Sequence, residues 1–246
     1  MARHKRSHPH GSPNRPRLWG KHAVAAALDN PERKVLRAWA TREAAAAMNF
    51  LASVPVTLAD VADLGRMVPH DAPHQGVVIE VEPLEEAWLG DLLGEAGERA
   101  LLLVLDQVTD PHNVGAIVRS AAAFGAIGIV TQDRHSPPES GALAKAASGA
   151  LERVPWARVV NLARALEEIG EAGFWRIGLA GDADIELKDA LGPPRIALVL
   201  GAEGAGLRQN TREHCDALAR LPIGSAVESL NVSNAAAVAL YAASIA

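Results

Sequence analysis

The sequence has little of several things on which particular classes of protein depend. It contains one cysteine, Cys215, which excludes an intramolecular disulfide and a zinc site built from several cysteines. No apolar run reaches the roughly 18 residues needed to cross a bilayer, and the alanine-rich stretch 235–246 is too short and too weakly hydrophobic. No apolar segment follows the basic residues 1–17, so they are not a secretory signal. We therefore expect a cytoplasmic protein with no membrane segment and no bound metal ion.

Aromatic residues are also scarce, at 4% of 246 residues, whereas hydrophobic residues make up 49% and charged residues 22%. The core must therefore pack mainly Leu, Val, Ile and Ala. The length predicts one to two domains and is sufficient to bury a sizeable core. The five tryptophans are scattered along the chain and do not form the stripe typical of a base-stacking surface.

The charge of the chain is unevenly distributed. The net charge is −5, but residues 1–22 contain six Lys and Arg residues and no acid, which leaves −11 on residues 23–246. A basic segment joined to an acidic body is typical of proteins with a polyanionic partner. Alternatively, residues 1–17, which are polar and contain Pro and Gly, form a disordered tail that only increases solubility.

Composition and periodicity divide the chain into four parts. A disordered basic arm (1–17) precedes a small α/β unit (18–80), with strands predicted at 34–40, 54–58 and 75–79 and helices at 22–28 and 42–51. Residues 80–98 contain seven acids and no base, which indicates a linker (81–98) with at most one helical turn. The remaining residues, 99–246, form a second domain.

Continuous apolar strands alternate with helical patterns in the second domain. The strands are predicted at 100–105, 127–131, 175–180, 196–200 and 219–223, and the helices at 113–124, 141–151, 162–171, 207–214 and 233–245. Strands without polar alternation are typical of a parallel sheet covered by helices on both faces. Ligands bind beyond the carboxyl ends of such strands, so functional residues should follow strands.

The first candidate segment, 105–119, runs from a strand through a polar loop into a helix. Asp110 is suited to cap that helix and Pro111 to occupy its first position. Arg119 lies two turns further on, and its neighbours three and four residues away are all small: Gly115, Ala116, Ala122 and Ala123. A backbone or a ligand could therefore approach the guanidinium closely, although Arg119 alone is equally compatible with an ordinary surface arginine.

Two further segments follow predicted strands. In the second segment, 196–207, the spacing G-x-x-G-x-G is neither the dinucleotide fingerprint nor a P-loop, and Glu203 would repel a phosphate. That carboxylate suits a hydroxyl, an amine or a cation, or the segment is simply a tight turn. The third segment, 221–235, joins a short apolar strand to an alanine-rich helix and carries a surplus of helix-capping residues: Ser229, Asn231, Ser233 and Asn234.

Taken together, in this order and spacing, the three segments resemble motifs 1, 2 and 3 of the SpoU (TrmH-like) RNA 2′-O-ribose methyltransferases of the SPOUT class. Residues 99–246 match the whole catalytic domain of that family. Residues 18–80, including 74–78, resemble its small substrate-binding domain, which is akin to ribosomal protein L30e. Residues 109–113 and 211–216 are most similar to the corresponding sequences of the subgroup that methylates a guanosine ribose in 23S ribosomal RNA. Only the arm before Leu18 lies outside the resemblance.

The resemblance implies a fold, a cofactor and partners. The fold would be an α/β methyltransferase domain with a deep C-terminal trefoil knot. S-Adenosyl-L-methionine would bind between the second and third segments, with its adenine lined by Gly201, Leu221, Ile223 and Leu230. The partners would be RNA, with 23S ribosomal RNA favoured, and a second copy of the chain. That homodimer would form through the knotted domain, with helix 235–246 at the interface.

The resemblance also assigns catalytic positions to Asn113, Arg119, Glu203, Ser229 and Asn231. The reaction would transfer a methyl group from a sulfonium to a ribose 2′-oxygen, and Arg119 is the family's usual candidate for the base. Because the pKa of arginine lies above about 12, Arg119 keeps its proton at neutral pH. We therefore favour a role in which Arg119 binds the adjacent phosphate and stabilises the emerging alkoxide. Asn113 and Asn231 would orient Arg119 or bind ribose, and Ser229 would hold phosphate. Glu203 would position Arg119 or the RNA.

Three alternatives stay open at this stage. Transfer RNA enzymes share all three motifs, so the target could be a transfer RNA ribose. A catalytically inactive RNA-binding homologue is disfavoured because all five catalytic positions are present. A doubly wound, nucleotide-dependent enzyme is disfavoured because the dinucleotide fingerprint is missing after the first strand.

Overall fold

The structure, a computed structural model, describes residues 15–246, and residues 1–14 of the predicted basic arm lie outside the described residues. The strands are β1 (Arg17–Trp19), β2 (Val35–Ala40), β3 (Val56–Leu58), β4 (Val77–Val81), β5 (Ala100–Asp106), β6 (Gly128–Gln132), β7 (Trp156–Val159), β8 (Trp175–Leu179), β9 (Ile185–Glu186), β10 (Arg195–Gly201) and β11 (Ala217–Arg220). The helices are α1 (Lys21–Asp29), α2 (Arg42–Ala47), α3 (Val61–Gly65), α4 (Leu89–Gly94), α5 (Pro111–Ala123), α6 (Gly141–Ala147), α7 (Leu162–Glu171), α8 (Leu187–Ala190), α9 (Gln209–Glu213) and α10 (Val232–Ile245).

The N-terminal unit is built on a mixed sheet with the strand order β1-β4-β2-β3. Strand β4 is antiparallel to β1 and to β2, and β2 is parallel to β3. Arg17, the last residue of the predicted arm, instead belongs to β1, because it pairs with Glu80 of β4. Ordered structure therefore begins earlier than the composition predicted.

The C-terminal domain is built on a parallel sheet with the strand order β7-β6-β5-β10-β8-β11-β9. All seven residues of β5 are buried. They alternate between two apolar clusters, with Leu101, Leu103 and Leu105 facing α5, α6 and α10, and Leu102 and Val104 facing α4 and α7. The prediction of a parallel sheet covered on both faces is confirmed. The trefoil knot stays a prediction.

Local chemistry explains where predicted boundaries moved. Helix α6 ends early because Ser148 and Gly149 adopt left-handed conformations, with φ of 51° and 90°. Strand β11 ends at Arg220, ahead of Pro222, which cannot donate a ladder hydrogen bond. The predicted linker also packs more than expected: α4 buries Leu89, Leu92 and Leu93 against the large sheet, in keeping with their helical spacing.

Candidate active site

The three segments meet at the carboxyl edge of the parallel sheet. Strands β5 and β10 are direct neighbours, and Asp106 is in register with Gly201, so both strands end at the same level. Strand β11 lies two places beyond β10 in the same direction. The polar loops after β5, β10 and β11 therefore emerge at the same edge of the sheet, with β8 between the last two strands, as expected for ligand sites of parallel sheets.

The first segment turns into α5 through a cap. The Asp110 carboxylate accepts hydrogen bonds from the backbone N–H groups of His112 (3.1 Å) and Asn113 (3.3 Å), and Pro111 opens the helix. This cap was predicted, and it orients Asn113 at the start of the helix. Gly115 serves packing instead of ligand access, because a Cβ there would lie 2.5 Å from the carbonyl oxygen of Leu143 in α6.

The second segment forms a tight loop after β10. Ala202 and Gly206 exchange two backbone hydrogen bonds of 3.1 and 2.8 Å, and Gly206 has φ of 66°. A Cβ on Gly201 would overlap the backbone of Gly206 and Leu207. Gly201 is therefore required for a close backbone approach, and in this structure the approaching backbone is the loop itself. The loop leaves Glu203 exposed at its tip.

A directed chain of hydrogen bonds connects the three segments. Asn231 Nδ2 donates to Asn113 Oδ1 (3.0 Å), and Asn113 Nδ2 donates to Glu203 Oε2 (3.2 Å). Asn231 Oδ1 accepts from the backbone N–H and the hydroxyl of Ser233, at 2.9 and 2.6 Å, and so caps α10. Because the amide oxygen of Asn231 is occupied as an acceptor, each amide in the chain must donate toward Glu203. Three of the five predicted catalytic residues are thus brought together.

Arg119 and Ser229 are not part of this chain. Arg119 is exposed and lies six residues after Asn113 on α5, which is about 9 Å along the axis and on another face of the helix. Within residues 15–246, the structure shows no hydrogen bond or ion pair of Arg119. Glu203 accepts from Asn113, and within residues 15–246 neither Glu203 nor the two asparagines bond Arg119. The expectation that these residues orient Arg119, or instead bind ribose or RNA, stays a prediction. Ser229 lies exposed in the third loop.

Two residues that connect the loops of the site were missed by sequence reasoning. The Asp106 carboxylate is fully buried at the end of β5 and accepts from the backbone N–H (3.1 Å) and the Nε (2.7 Å) of Arg208. This pair ties the far end of the second loop to the first. A carboxylate directly after an apolar strand was the only available signal, and its partner lies 102 residues away.

Comparison with known proteins finds the three segments within one family. A match to the SpoU rRNA Methylase family covers residues 100–241, which include all three segments. The chain belongs to the SpoU rRNA methylase family. A second match, to the RNA 2′-O ribose methyltransferase substrate binding family, covers residues 17–87. The fold class predicted from the motifs, a SpoU methyltransferase domain behind a small substrate-binding domain, is confirmed.

Individual relatives support the same assignment. The chain is 40% identical to the 23S rRNA (guanosine-2′-O-)-methyltransferase RlmB of Pseudomonas syringae, over 92% of this chain and 94% of the relative. It is also 40% identical to an uncharacterized tRNA/rRNA methyltransferase of Synechocystis, where it spans 61% of the relative's length. The crystal structure of the SpoU methyltransferase AviRb from Streptomyces viridochromogenes with its cofactor AdoMet superposes with a TM-score of 0.74 at 26% identity, covering 93% and 89% of the two chains.

The third loop carries the apolar residues that the SpoU resemblance assigns to adenine. Ile223 is 39% exposed, Leu230 is half-buried, and Leu221 packs partly against the core. Within the described residues, no backbone hydrogen bond joins residues 222–230 to another segment. Exposed and half-buried apolar side chains beside backbone groups with no partner in another described segment fit an adenine ring and its polar edge. The residues present therefore fit S-adenosyl-L-methionine.

Other candidate chemistry is weaker. Burial raises the pKa of the Cys215 thiol to about 12, and the thiol donates to the Thr211 carbonyl oxygen at 3.3 Å, so Cys215 is protonated and a poor nucleophile. In residues 15–246 there is no group of three or more His, Cys, Asp or Glu side chains able to hold a metal ion. Over the same residues, no helix is both long and apolar enough to cross a membrane.

Proposed function

We propose that this chain transfers a methyl group from S-adenosyl-L-methionine to the 2′-oxygen of a ribose in RNA, and that the target is a guanosine of 23S ribosomal RNA. The Asn231–Asn113–Glu203 chain at the carboxyl edge of the sheet carries the proposal, because it assembles polar groups from three distant segments at one point. Relatives named RlmB, matched over 94% of their length at 40% identity, support the choice of target.

The second and third loops would hold the cofactor. Gly201 lets the second loop fold back on its strand, and Leu221, Ile223 and Leu230 supply apolar surface for the adenine. When bound, S-adenosyl-L-methionine supplies a methyl group on a positively charged sulfur that leaves as a neutral thioether. The protein therefore has to position the ribose hydroxyl and manage its proton.

Glu203 would position the ribose. Its Oε2 accepts from Asn113, which orients the carboxylate and leaves Oε1 able to accept from a ribose hydroxyl. Ser229, exposed in the neighbouring loop, would donate to a phosphate oxygen. These contacts would position the ribose so that its 2′-oxygen can accept the methyl group.

Arg119 would hold the phosphate next to the target ribose. Its guanidinium is exposed and engages no carboxylate within residues 15–246, so it can bind a phosphate in a bidentate manner. A fixed positive charge there would favour the negative charge that develops on the 2′-oxygen as its proton passes to bulk water. This role is consistent with the position of Arg119 outside the Asn231–Asn113–Glu203 hydrogen-bond chain.

A second copy of the chain would pack on the C-terminal helix. Val238, Tyr241 and Ile245 of α10 are 48%, 53% and 67% exposed, and their spacing places them on one face. An apolar stripe of this kind is typical of an interface. Sedimentation of a Tyr241→Glu variant tests the homodimer, since the charge should produce a monomer, and an unchanged dimer would contradict this interface.

The N-terminal parts would contact the RNA. We assign residues 18–80 to substrate binding and residues 99–246 to catalysis, joined by the acidic segment 81–98. The basic residues 1–14 would add contacts to phosphate, so their deletion should weaken RNA binding and reduce its dependence on salt. Unchanged binding at low salt would contradict a role for the arm.

A methyl-transfer assay tests the proposed function. Labelled S-adenosyl-L-methionine is incubated with the protein and either unmodified 23S ribosomal RNA fragments or transfer RNA, and mass spectrometry identifies the product nucleoside. We expect 2′-O-methylguanosine in ribosomal RNA only. A methylated transfer RNA would retain the chemistry and refute the target.

Two variants locate the activity in the site. Glu203→Gln should lower turnover. Glu213→Gln serves as the matched control, because it changes an exposed carboxylate of α9 whose one side-chain bond in residues 15–246 is to Gln209. Cofactor binding without methylation of either RNA would refute the proposed function.

A further inference from the structure

Arg33 is a charged residue buried between the two halves of the chain. It lies between α1 and β2, and its side chain has no exposed surface. Its guanidinium donates to Glu152 through Nη2 (2.7 Å), to Glu139 through Nη1 (2.6 Å) and to the carbonyl oxygen of Glu82 (2.9 Å). A buried guanidinium with this many partners is oriented by all of them at once.

The two carboxylates belong to the catalytic domain. Glu139 immediately precedes the N-cap of α6 and Glu152 follows that helix in a short 3₁₀ turn. Glu139 Oε2 also accepts from the backbone N–H of Leu84 (3.0 Å), and Asn30 Nδ2 donates to Glu152 Oε2 (2.9 Å). The cluster therefore joins the substrate-binding unit, the connecting segment and the catalytic domain.

The electrostatics of this cluster tolerate little displacement. One guanidinium faces two carboxylates, and burial raises the pKa of Glu139 above its ordinary value. A small rotation that lengthens these bonds would leave charges buried without their partners, which is strongly unfavourable. Water could solvate the groups only after the domains had separated.

The apolar contact between the domains is equally specific in shape. A Cβ on Gly141, the first residue of α6, would overlap the ring of Trp19 in β1. One apolar cluster continues across the junction and contains residues of both halves: Leu18, Ala23, Val24, Ala27, Leu143, Ala144, Ala147 and Leu151. The N-terminal unit therefore packs directly on α6 and is not joined to the catalytic domain by the connecting segment alone.

We propose that Arg33 is a positioning residue that holds the substrate-binding domain on the catalytic domain in one orientation. The enzyme would then select RNA in which the target ribose and the RNA element bound by the substrate-binding domain lie at one fixed separation. This inference rests on the proposed function for its RNA part. Its geometric part, a single domain orientation that depends on Arg33, can be measured without any methyl transfer.

Pulsed electron spin resonance measures that orientation. Spin labels are placed by Leu58→Cys in the N-terminal unit and Val160→Cys in the catalytic domain, at positions 56% and 85% exposed, in a Cys215→Ser background. Labelled protein is mixed with an excess of unlabelled protein, so that at most one protomer of a dimer carries labels. We expect one narrow distance in the parent and a broad distribution in Arg33→Met. Lys34→Met is the matched control, because Lys34 pairs with Glu82 at the surface beside Arg33, and it should keep the narrow distance.

Steady-state kinetics test the consequence for RNA. The first substrate is an RNA that carries the target nucleotide and the element bound by the substrate-binding domain. For this RNA, Arg33→Met should raise KM about ten-fold or more while kcat changes less than about two-fold. The reason is that the reacting groups are unchanged and only the positioning of the RNA is lost. KM for a fragment carrying the target nucleotide alone should not change. Arg33→Lys should restore part of the loss.

Several outcomes would overturn the inference. A broad distance distribution in the parent would refute the fixed orientation, and a narrow one in Arg33→Met would refute the role of Arg33. If Arg33→Met does not fold, Glu139→Gln removes one charge with little change in shape and takes its place. A protein without methyltransferase activity that still shows the Arg33-dependent distance would refute the proposed function and leave the geometric part standing.

Discussion

Replacing Gly201 by alanine is the sharpest test of how the second loop builds the cofactor site. The added Cβ would overlap the carbonyl group of Gly206 and the amide nitrogen of Leu207, all of them backbone atoms. A flexible side chain could rotate away, but backbone can move only if the loop refolds. The substitution should therefore displace residues 202–207.

The size of the effect follows from what that displacement disturbs. Overpacking a well-packed site costs about 1–3 kcal/mol, which in a chain of this length lowers Tm by about 2–4 °C for each kcal/mol. The loop also carries Glu203, which accepts from Asn113, and continues into Arg208, which is held by Asp106. We expect the Kd for S-adenosyl-L-methionine to rise at least about ten-fold, which corresponds to about 1.4 kcal/mol.

Calorimetric titration with S-adenosyl-L-methionine and thermal unfolding measure both quantities. Gly94→Ala is the matched control, because a Cβ there meets nothing within 4 Å and the residue lies in α4, away from the loop. Its Tm and cofactor affinity should stay close to the parent values. If Gly201→Ala binds the cofactor as tightly as the parent and unfolds at the same temperature, the close approach of Gly206 is not the reason for glycine at this position.

Three further substitutions or measurements test other parts of the structure. Asn113→Asp replaces the donor to Glu203, 3.2 Å away, by a second carboxylate, and should lower kcat/KM about 10–100-fold in the methyl-transfer assay. Cys215, whose thiol pKa is raised to about 12 by burial, should react slowly with Ellman's reagent at pH 8 and rapidly after unfolding in urea. Asp216 accepts hydrogen bonds from Arg176, which lower the pKa of the Asp216 carboxyl, and Asp216→Asn removes the negative charge of this pair. The decrease in Tm caused by Asp216→Asn should have its full size at pH 7 and should disappear as the pH falls below about 3.8.

Each of these tests has an outcome that contradicts it. Undiminished activity of Asn113→Asp would show that the hydrogen bond to Glu203 is not needed for the reaction. Rapid labelling of the folded protein at pH 8 would mean that the Cys215 thiol is accessible and less shifted than its burial implies. A Tm difference for Asp216→Asn that stays constant down to pH 3 would assign the cost to packing instead of the ion pair with Arg176.

Elements with strong local signals were predicted well. Helix α7 spans Leu162–Glu171, as expected from its apolar spacing, and α5 and α10 begin at caps that the sequence displays, Asp110 and Asn231. Short elements such as β7 and β9 were missed, because strands of four and two residues carry too few side chains for a periodic pattern. Those strands exist because the neighbouring strand supplies their hydrogen bonds.

For the candidate site too, local features were predictable from the sequence and long-range contacts were not. Asn113, Glu203 and Asn231 were predicted from the sequence, and the structure brings these three together. Their partners were not predicted, because Asn113 and Asn231 lie 118 residues apart and Asp106 and Arg208 lie 102 apart. Which side chains touch across such separations depends on the order of strands in the sheet.

By itself, the sequence determined the parallel α/β architecture, the caps, the glycine-rich turn and the family, because each depends on neighbouring residues or on the order of motifs. The tertiary structure alone decided that Glu203 bonds Asn113 and not Arg119, that Gly115 serves packing against α6, and that Arg33 is buried between two carboxylates. Hydrogen bonds and close packing form only when the distances between atoms are correct to within a few tenths of an ångström. Only the folded arrangement of the sheets and helices sets those distances.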